Sequence, residues 1–468
     1  MKISNKVKYS FAVGGLGKDM MFAMSTVMFF YFDTWLGISA AFLGIMMMVV
    51  RAWDAINDPI MGNIVDRTKS RWGKFRPWIL IGAVLNGIVT VVLLSNPDLA
   101  TNSIQQLVFI TTFYTLWGMT YTLMDIPFWS LIPTLSEDQG ERESLTVMTR
   151  LFTSIGYFII AGGYVFLANT LGSDNPVKGM FVLAIIVAVV FVICEIIAVM
   201  NVKEQIVVES KDKTTLKEMF RVLKENDQLL IVMLVVLIIN FTLYITMGMA
   251  IYYVTYNIGN PDLYFLFIAI GGVLQVIGSV IYPVFSKRFK RKQIYNIAIM
   301  VQFVGFVFLF LNAFVLGSNL ILMFVFAGIV FVGQGIFMVL QTVLLSDTVE
   351  YGELKTGRRS ESVAFSVQTF IVKMAMGLSL GVIGVGITLI KVIDPLTEVD
   401  AITGEDIIIY QTQSDATLMG ISIIMFILPL FGLLLGRYIF NKKHTLDEEA
   451  YANVLKELKV VRGSGVDE

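Results

Sequence analysis

The chain has 468 residues, 56% hydrophobic and 15% charged, with 25 Met, 35 Phe and a formal charge of −1. It is too apolar for an ordinary soluble globule, and its basic residues form no stripe that would suit nucleic acid. A single cysteine, Cys194, excludes an internal disulfide or a cysteine-built metal site, and a single histidine, His444, leaves proton or cation chemistry to carboxylates.

Windows of roughly 20 apolar residues, enough to cross a ~30 Å bilayer core, fall at 9–32, 41–65, 77–95, 104–131, 150–170, 179–200, 229–256, 263–285, 294–312, 319–346, 362–391 and 416–440. The chain is therefore predicted to be an all-α membrane protein of twelve transmembrane helices. The first window carries Lys18 and Asp19 and is too long for a cleavable leader.

Loop 66–76 carries Arg67, Lys69, Arg71, Lys74 and Arg76, and loop 286–293 carries Lys287, Arg288, Lys290, Arg291 and Lys292. The opposite loops, 33–40, 96–103, 257–262 and 313–318, carry no Lys or Arg. By the positive-inside rule both termini are expected in the cytoplasm.

Each basic loop follows the second span of a set of six, the pattern of a six-plus-six duplication. The expected organisation is a first bundle over 1–200, a linker over 201–228, a second bundle over 229–440 and a short polar cytoplasmic tail over 441–468. In the linker, Thr215 and Glu218 fit a capping box, and Leu216, Met219, Phe220 and Leu223 share one face, as in an interfacial helix.

An unusual set of charges lies within the apolar windows, among them Lys18, Asp19, Arg51, Asp54, Asp58, Asp125, Arg150 and Lys373. A carboxylate near the bilayer centre costs on the order of 2.5–3.5 kcal/mol, so such groups need a partner or a use. In the second span Arg51, Asp54 and Asp58 form one polar stripe at i, i+3 and i+7, with Asn57 beside them. Pro59 has no N–H and frees the carbonyl of Ala55. These hard oxygens suit Na+, Li+ or H3O+; the alternative is a buried Arg51 ion pair that only joins helices.

In the fourth span Tyr121, Asp125 and Trp129 repeat every four residues. A carboxylate between two aromatic rings suits a sugar, accepting from hydroxyls while a ring covers the C–H face. In the eleventh span Thr369 and Lys373 are i, i+4 with Gln368 adjacent, and Glu195 reads as an interfacial carboxylate near the end of the sixth. No nucleotide-binding, metal-hydrolase or glycosidase arrangement is visible, so the chain is not expected to be an enzyme.

Several long stretches resemble the glycoside-pentoside-hexuronide cation symporter family of the major facilitator superfamily. They are Gly17-Lys-Asp19, Arg51 to Gly62, Arg71 to Trp78, Trp117 to Trp129, Asn226-Asp-Gln228, Asp347 to Glu353 and Ser366 to Lys373. The resemblance implies a major facilitator fold of two six-helix bundles in a bacterial cytoplasmic membrane. It implies import of a sugar, with melibiose-like α-galactosides foremost, coupled to Na+, Li+ or H+ and needing no cofactor.

Another glycoside, a pentoside or a glucuronide on the same frame is the near alternative; a sugar sensor that transports nothing is the remote one. By the same resemblance, Asp54, Asn57, Asp58 and Thr122 would hold the cation, with Asp54 and Asp58 as carboxylate ligands for Na+. Lys18, Asp19, Tyr121, Asp125, Trp129, Arg150, Gln368, Thr369 and Lys373 would hold the sugar. Arg358, Arg359 and Glu361 would belong to a cytoplasmic gating loop. The chain departs from the family at Phe337-Met338, where a tryptophan follows the phenylalanine, leaving one aromatic wall fewer.

Cysteines placed in loops 66–76 and 286–293 should escape an impermeant thiol reagent applied to whole cells. Labelling of both from outside would reverse the orientation.

Overall fold

The computed structural model describes residues 3–68, 70–95, 97, 99–136, 139–173, 175–204, 216–357, 361–399 and 406–464. Side-chain caps set five of the helix starts. Ser4 and Ser103 accept from backbone amides three residues on, opening α1 (Asn5–Phe30) and α4 (Ile104–Leu131). Asn175, Asn226 and Asn319 cap α6 (Pro176–Asn201), α8 (Asp227–Tyr252) and α11 (Leu320–Thr356) in the same way. The others are α2 (Ala40–Arg67), α3 (Arg76–Leu93), α5 (Gln139–Leu171), α7 (Leu216–Glu225), α9 (Leu263–Ser286), α10 (Arg291–Phe314) and α12 (Glu361–Ile390). Then follow α13 (Asp415–Ser422), α14 (Leu428–Lys443) and α15 (Glu448–Ser464).

Among the described residues, 11 helical stretches are long and apolar enough to cross a membrane, α13 and α14 acting as one through Ile423–Ile427. The twelfth span is α1, whose 26 residues reach about 39 Å at 1.5 Å each. It falls short only in hydropathy, because Lys6, Lys8, Lys18 and Asp19 dilute it.

The chain divides into two compact units. The first comprises Met1–Lys213, Val254–Ile268 and Leu380–Thr417. In it α1 runs along α5 and α6, α3 packs on α4 and α6, and α2 packs on α4. Small residues permit these approaches, as expected where lipid supplies no hydrophobic drive between helices: a Cβ on Gly17 would stand 2.6 Å from that of Cys194. The second unit comprises Thr214–Tyr253, Ala269–Ser379 and Leu418–Glu468. In it α10 lies along α11, α8 along α11 and α14, and α15 on α11.

The same turn ends the helical run after α1 and after α8. The backbone widens over Tyr31–Trp35 and over Tyr253–Asn257. The amides of Ile38 and Asn260 then reach back six residues to the carbonyls of Phe32 and Val254, at 2.9 Å each. Gly37 and Gly259 supply the left-handed residue, at φ 64° and 80°, that such a closure requires.

Two features, a hairpin and a folded tail, depart from the sequence reading. A hairpin interrupts the all-helical chain: β1 (Leu396–Val399) pairs antiparallel with β2 (Asp406–Ile409), and Tyr410 just beyond accepts from Trp35 Nε1 at 3.1 Å. Strands of four residues are too short to show a period.

Within the linker, α7 is helical, with Met219 buried and Phe220 exposed against the edge of Phe370. Its expected cap, Thr215, lies outside the described residues.

The tail read as polar is folded. Leu446, Val454 and Leu458 are buried against Tyr351 and Leu354 of α11. Asp347 pairs with Arg291, the Arg291 amide donates to Glu448, and the Thr445 amide donates to Gln228 at 3.0 Å. Alternating charges over 448–464 had masked this apolar face.

His444 joins α14 to this tail, stacked on Phe440 at 4.4 Å. Burial, with Lys292 and Arg291 nearby, pushes its imidazole down to about 4 against the opposing pull of Asp447 and Glu448. Docking therefore favours the neutral ring. Its stabilisation is complete above the unfolded value of about 6.5 and drains away as pH falls through the folded value of about 4. Amide exchange in α15, corrected for its intrinsic pH dependence, should quicken on acidification, and His444→Phe should flatten the response. Acid opening that persists in that variant would assign the effect to the carboxylates instead.

Candidate functional site

One cluster is built around Lys18, 4% exposed in the middle of α1. Its ammonium lies 2.8 Å from Asp19 Oδ1 and 2.8 Å from Asp125 Oδ1, and donates to the Tyr121 hydroxyl at 3.2 Å. Three donors thus meet three acceptors, which is what a buried ammonium needs. Aromatic faces complete the surroundings, with Lys18 Nζ 5.2 Å from the Trp129 ring centre and 5.6 Å from that of Tyr121. Tyr121 stacks on Trp117 at 5.2 Å, which fixes its ring. The Arg150 guanidinium, exposed on α5, lies 4.3 Å from the Trp129 ring centre. Asp19 and Asp125 are only half-buried.

A second cluster joins α2 to α4. Arg51 donates to Asp54 Oδ2 at 3.2 Å and to Ser25 Oγ at 3.1 Å, and its guanidinium lies 5.8 Å from the Trp117 ring centre. Asp54 approaches α4 closely: a Cβ on Gly118 would stand 2.5 Å from Asp54 Oδ1. One turn on, Thr122 Oγ1 donates to Asp58 Oδ1 at 3.2 Å. Asp54 is buried, Asn57 and Asp58 are half-buried, and Pro59 lies inside α2.

Helix α4 therefore serves both clusters from two faces. Gly118 and Thr122, four residues apart, meet α2; Tyr121 and Asp125, four residues apart, meet α1. Both clusters lie within the first unit, each held by an ion pair between a buried cation and a carboxylate.

The other expected residues are placed as follows. Gln368, Thr369 and Lys373 lie on α12 in the second unit; Gln368 and Lys373 are half-buried, while the Thr369 hydroxyl is turned to the Phe365 carbonyl at 3.2 Å. Glu361 opens α12, but its side chain lies outside the described residues, as do Arg358 and Arg359. Phe337 is buried edge-on to Tyr295, and Met338 is 49% exposed.

Glu195, expected near the end of its span, lies six residues inside the end of α6 and is enclosed by protein: it is 0% exposed, and neither carboxyl oxygen has a hydrogen-bond partner.

Comparison with known proteins agrees with this architecture. The model of the MFS/sugar transport protein family matches residues 10–441. The chain is 29% identical to the lactose permease of Lactobacillus delbrueckii subsp. bulgaricus over 97% of its own length and 73% of that protein's. It is 31% identical to the raffinose carrier protein of Pediococcus pentosaceus, over 89% of this chain and 64% of that one. It is also 31% identical to the inner membrane symporter YicJ of Escherichia coli, over 97% and 95%. Among solved structures, the partially occluded inward-open xylose transporter XylE of E. coli superposes with a TM-score of 0.61 at 14% identity, covering 95% of this chain and 98% of that one. That likeness speaks for the fold alone. With a family model spanning nearly all its helices and symporters and permeases as its relatives, the chain belongs to the MFS/sugar transport protein family, of glycoside-pentoside-hexuronide type, and is a multi-pass membrane sugar transporter, not an enzyme.

Proposed function

We propose that the chain imports a glycoside together with Na+, Li+ or H+ by alternating access. A melibiose-like α-galactoside is the leading substrate; another glycoside, a pentoside or a glucuronide is the alternative on the same frame. Both termini are placed in the cytoplasm of a bacterial cell, with the protein in its inner membrane. Relatives named for lactose and raffinose support the substrate class. The observation that carries the coupling is that one helix, α4, presents Tyr121 and Asp125 to Lys18 and Thr122 to Asp58.

In this reading the sugar hydroxyls donate to the carboxylates of Asp19 and Asp125, a sugar ring covers Trp129, and Arg150 and Lys18 donate to ring oxygens or hydroxyls. By the family resemblance Gln368, Thr369 and Lys373 are also assigned to the sugar, and Arg358, Arg359 and Glu361 to gating. The cation sits by Asp58, Thr122 and Asn57, with Asp54 beside them. The Arg51 bond to Asp54 favours a second reading for that residue: Asp54 holds Arg51 and sets the charge of the site, while Asp58 makes the stronger cation ligand. Because Tyr121 and Thr122 are neighbours on one helix, ordering either face orders the other. Sugar affinity should then rise with the cation and cation affinity with the sugar, by the same factor.

Replacing Asp125 by Asn removes an acceptor for sugar hydroxyls. Each lost charged hydrogen bond is worth roughly 1.5–3 kcal/mol, so two would weaken sugar binding on the order of a hundredfold, with cation binding retained. Asp58→Cys should bind sugar weakly, lose stimulation by Na+ and lose uphill accumulation. Exchanged phenotypes, read by binding and by counterflow in vesicles, would reverse the assignment.

Gly118→Ala should mimic the Asp58 defect in milder form, because its methyl would displace the Asp54 carboxylate. Unchanged Na+ stimulation in that variant would remove Asp54 from the cation site.

A further inference from the structure

The buried charges described so far are paired, but Glu195 is not. Its carboxyl is wholly buried on α6, neither oxygen meets a hydrogen-bond donor, and its Oε2 would stand 3.3 Å from a Cβ on Gly14. Gly14 is one turn before Lys18 on the same face of α1, and the absence of a side chain there leaves the space that the carboxyl fills. The next residue down α6, Cys194, packs on Gly17. The carboxyl thus points at the stretch of α1 that leads into the Lys18 cluster.

The charged groups acting on Glu195 are Lys18 and Asp19 from α1 and Asp125 from α4. On α3 the one ionisable side chain is Arg76, which donates to the Val199 carbonyl one turn further along α6. On α5 the nearest charge is Arg150, committed to Trp129, with Tyr157 and Tyr164 beyond it. On α6 itself only Lys178 and Cys194 are also ionisable. Lys18 is the cation best placed to answer an ionised Glu195, and its three donors are already taken by Asp19, Asp125 and Tyr121.

We propose that Glu195 is an exchangeable proton site, distinct from the Asp54 and Asp58 stripe, whose proton keeps Lys18 in the cluster with Asp19 and Asp125. An ionised carboxylate buried without donors is costly, whereas the protonated acid is neutral and fits the apolar contact with Gly14 and Phe128. When the O–H bond breaks, the proton passes to water and the electron pair stays on the carboxylate. The new anion then competes for the Lys18 ammonium, loosening it from Asp125. For transport, and resting there on the sugar-site reading above, proton occupancy and sugar binding would favour each other, which is the sign a proton symporter requires.

The test uses the full-length protein in lipid and no sugar. At neutral pH the infrared spectrum should contain a protonated-carboxyl band that is lost in Glu195→Gln, a variant that preserves the neutral shape. The band should bleach reversibly in alkali. It should bleach at lower pH in Asp125→Asn, because removing that negative charge, and freeing Lys18, favours the ionised form.

A wild-type spectrum identical to that of Glu195→Gln would overturn the proposal. So would a band that ignores pH in both the wild type and Asp125→Asn, since it would mark a sealed structural acid. If Glu195→Gln does not reach the membrane, the two titrations decide alone. Failure of every glycoside to be taken up, with the band and its Asp125 dependence intact, would overturn the sugar reading and leave the proton site standing.

Discussion

A buried ammonium is the constraint around which the first unit is arranged. Lys18 sits where water cannot solvate it, so its charge has to be answered by protein groups within hydrogen-bond distance. Asp19 comes from its own helix, while Asp125 and Tyr121 come from α4, and both carboxylates lie at 2.8 Å. Two negative charges thus answer one positive. Pairing of this kind contributes little net stability, because desolvation offsets most of the attraction. What it contributes is a fixed relation between α1 and α4.

That relation reaches α2 through the other face of α4. The close approach at Gly118 and the Thr122 hydroxyl put two aspartates of α2 against the helix that holds the Lys18 cluster. Stacking of Trp117 on Tyr121, with Arg51 over Trp117, makes the two faces share side chains as well as backbone. A change of charge at Asp58 and a change of ligation at Asp125 are therefore separated by one turn of a single rigid element.

Much of this was legible in the sequence, for physical reasons. Long apolar windows are forced by bilayer thickness, and a charge inside one stands out because it is costly. The spacing of Tyr121, Asp125 and Trp129 gave their common face, and Asp54 with Asp58 gave theirs. Partner choice was not legible: nothing in the spacing told whether Arg51 would take Asp54 or Asp58, since both lie within its reach on a helix. The hairpin at 396–409 was hidden by the brevity of its strands, and α15 by the charges between Val454 and Leu458.

The length of α11 has a mechanical consequence. Its 37 residues amount to about 56 Å of rigid rod, nearly twice the ~30 Å apolar core, so several turns stand clear of the lipid however the helix is tilted. Its Thr356 end carries the contacts of Tyr351 and Leu354 with the folded tail and ends abruptly at Gly357. A rod pivoting near its middle magnifies rotation: about 10° there moves the far end by roughly 5 Å. Whatever is fastened to that end is carried along an arc, so the tail is driven by rearrangement of the bundle much as a crank is driven by its shaft.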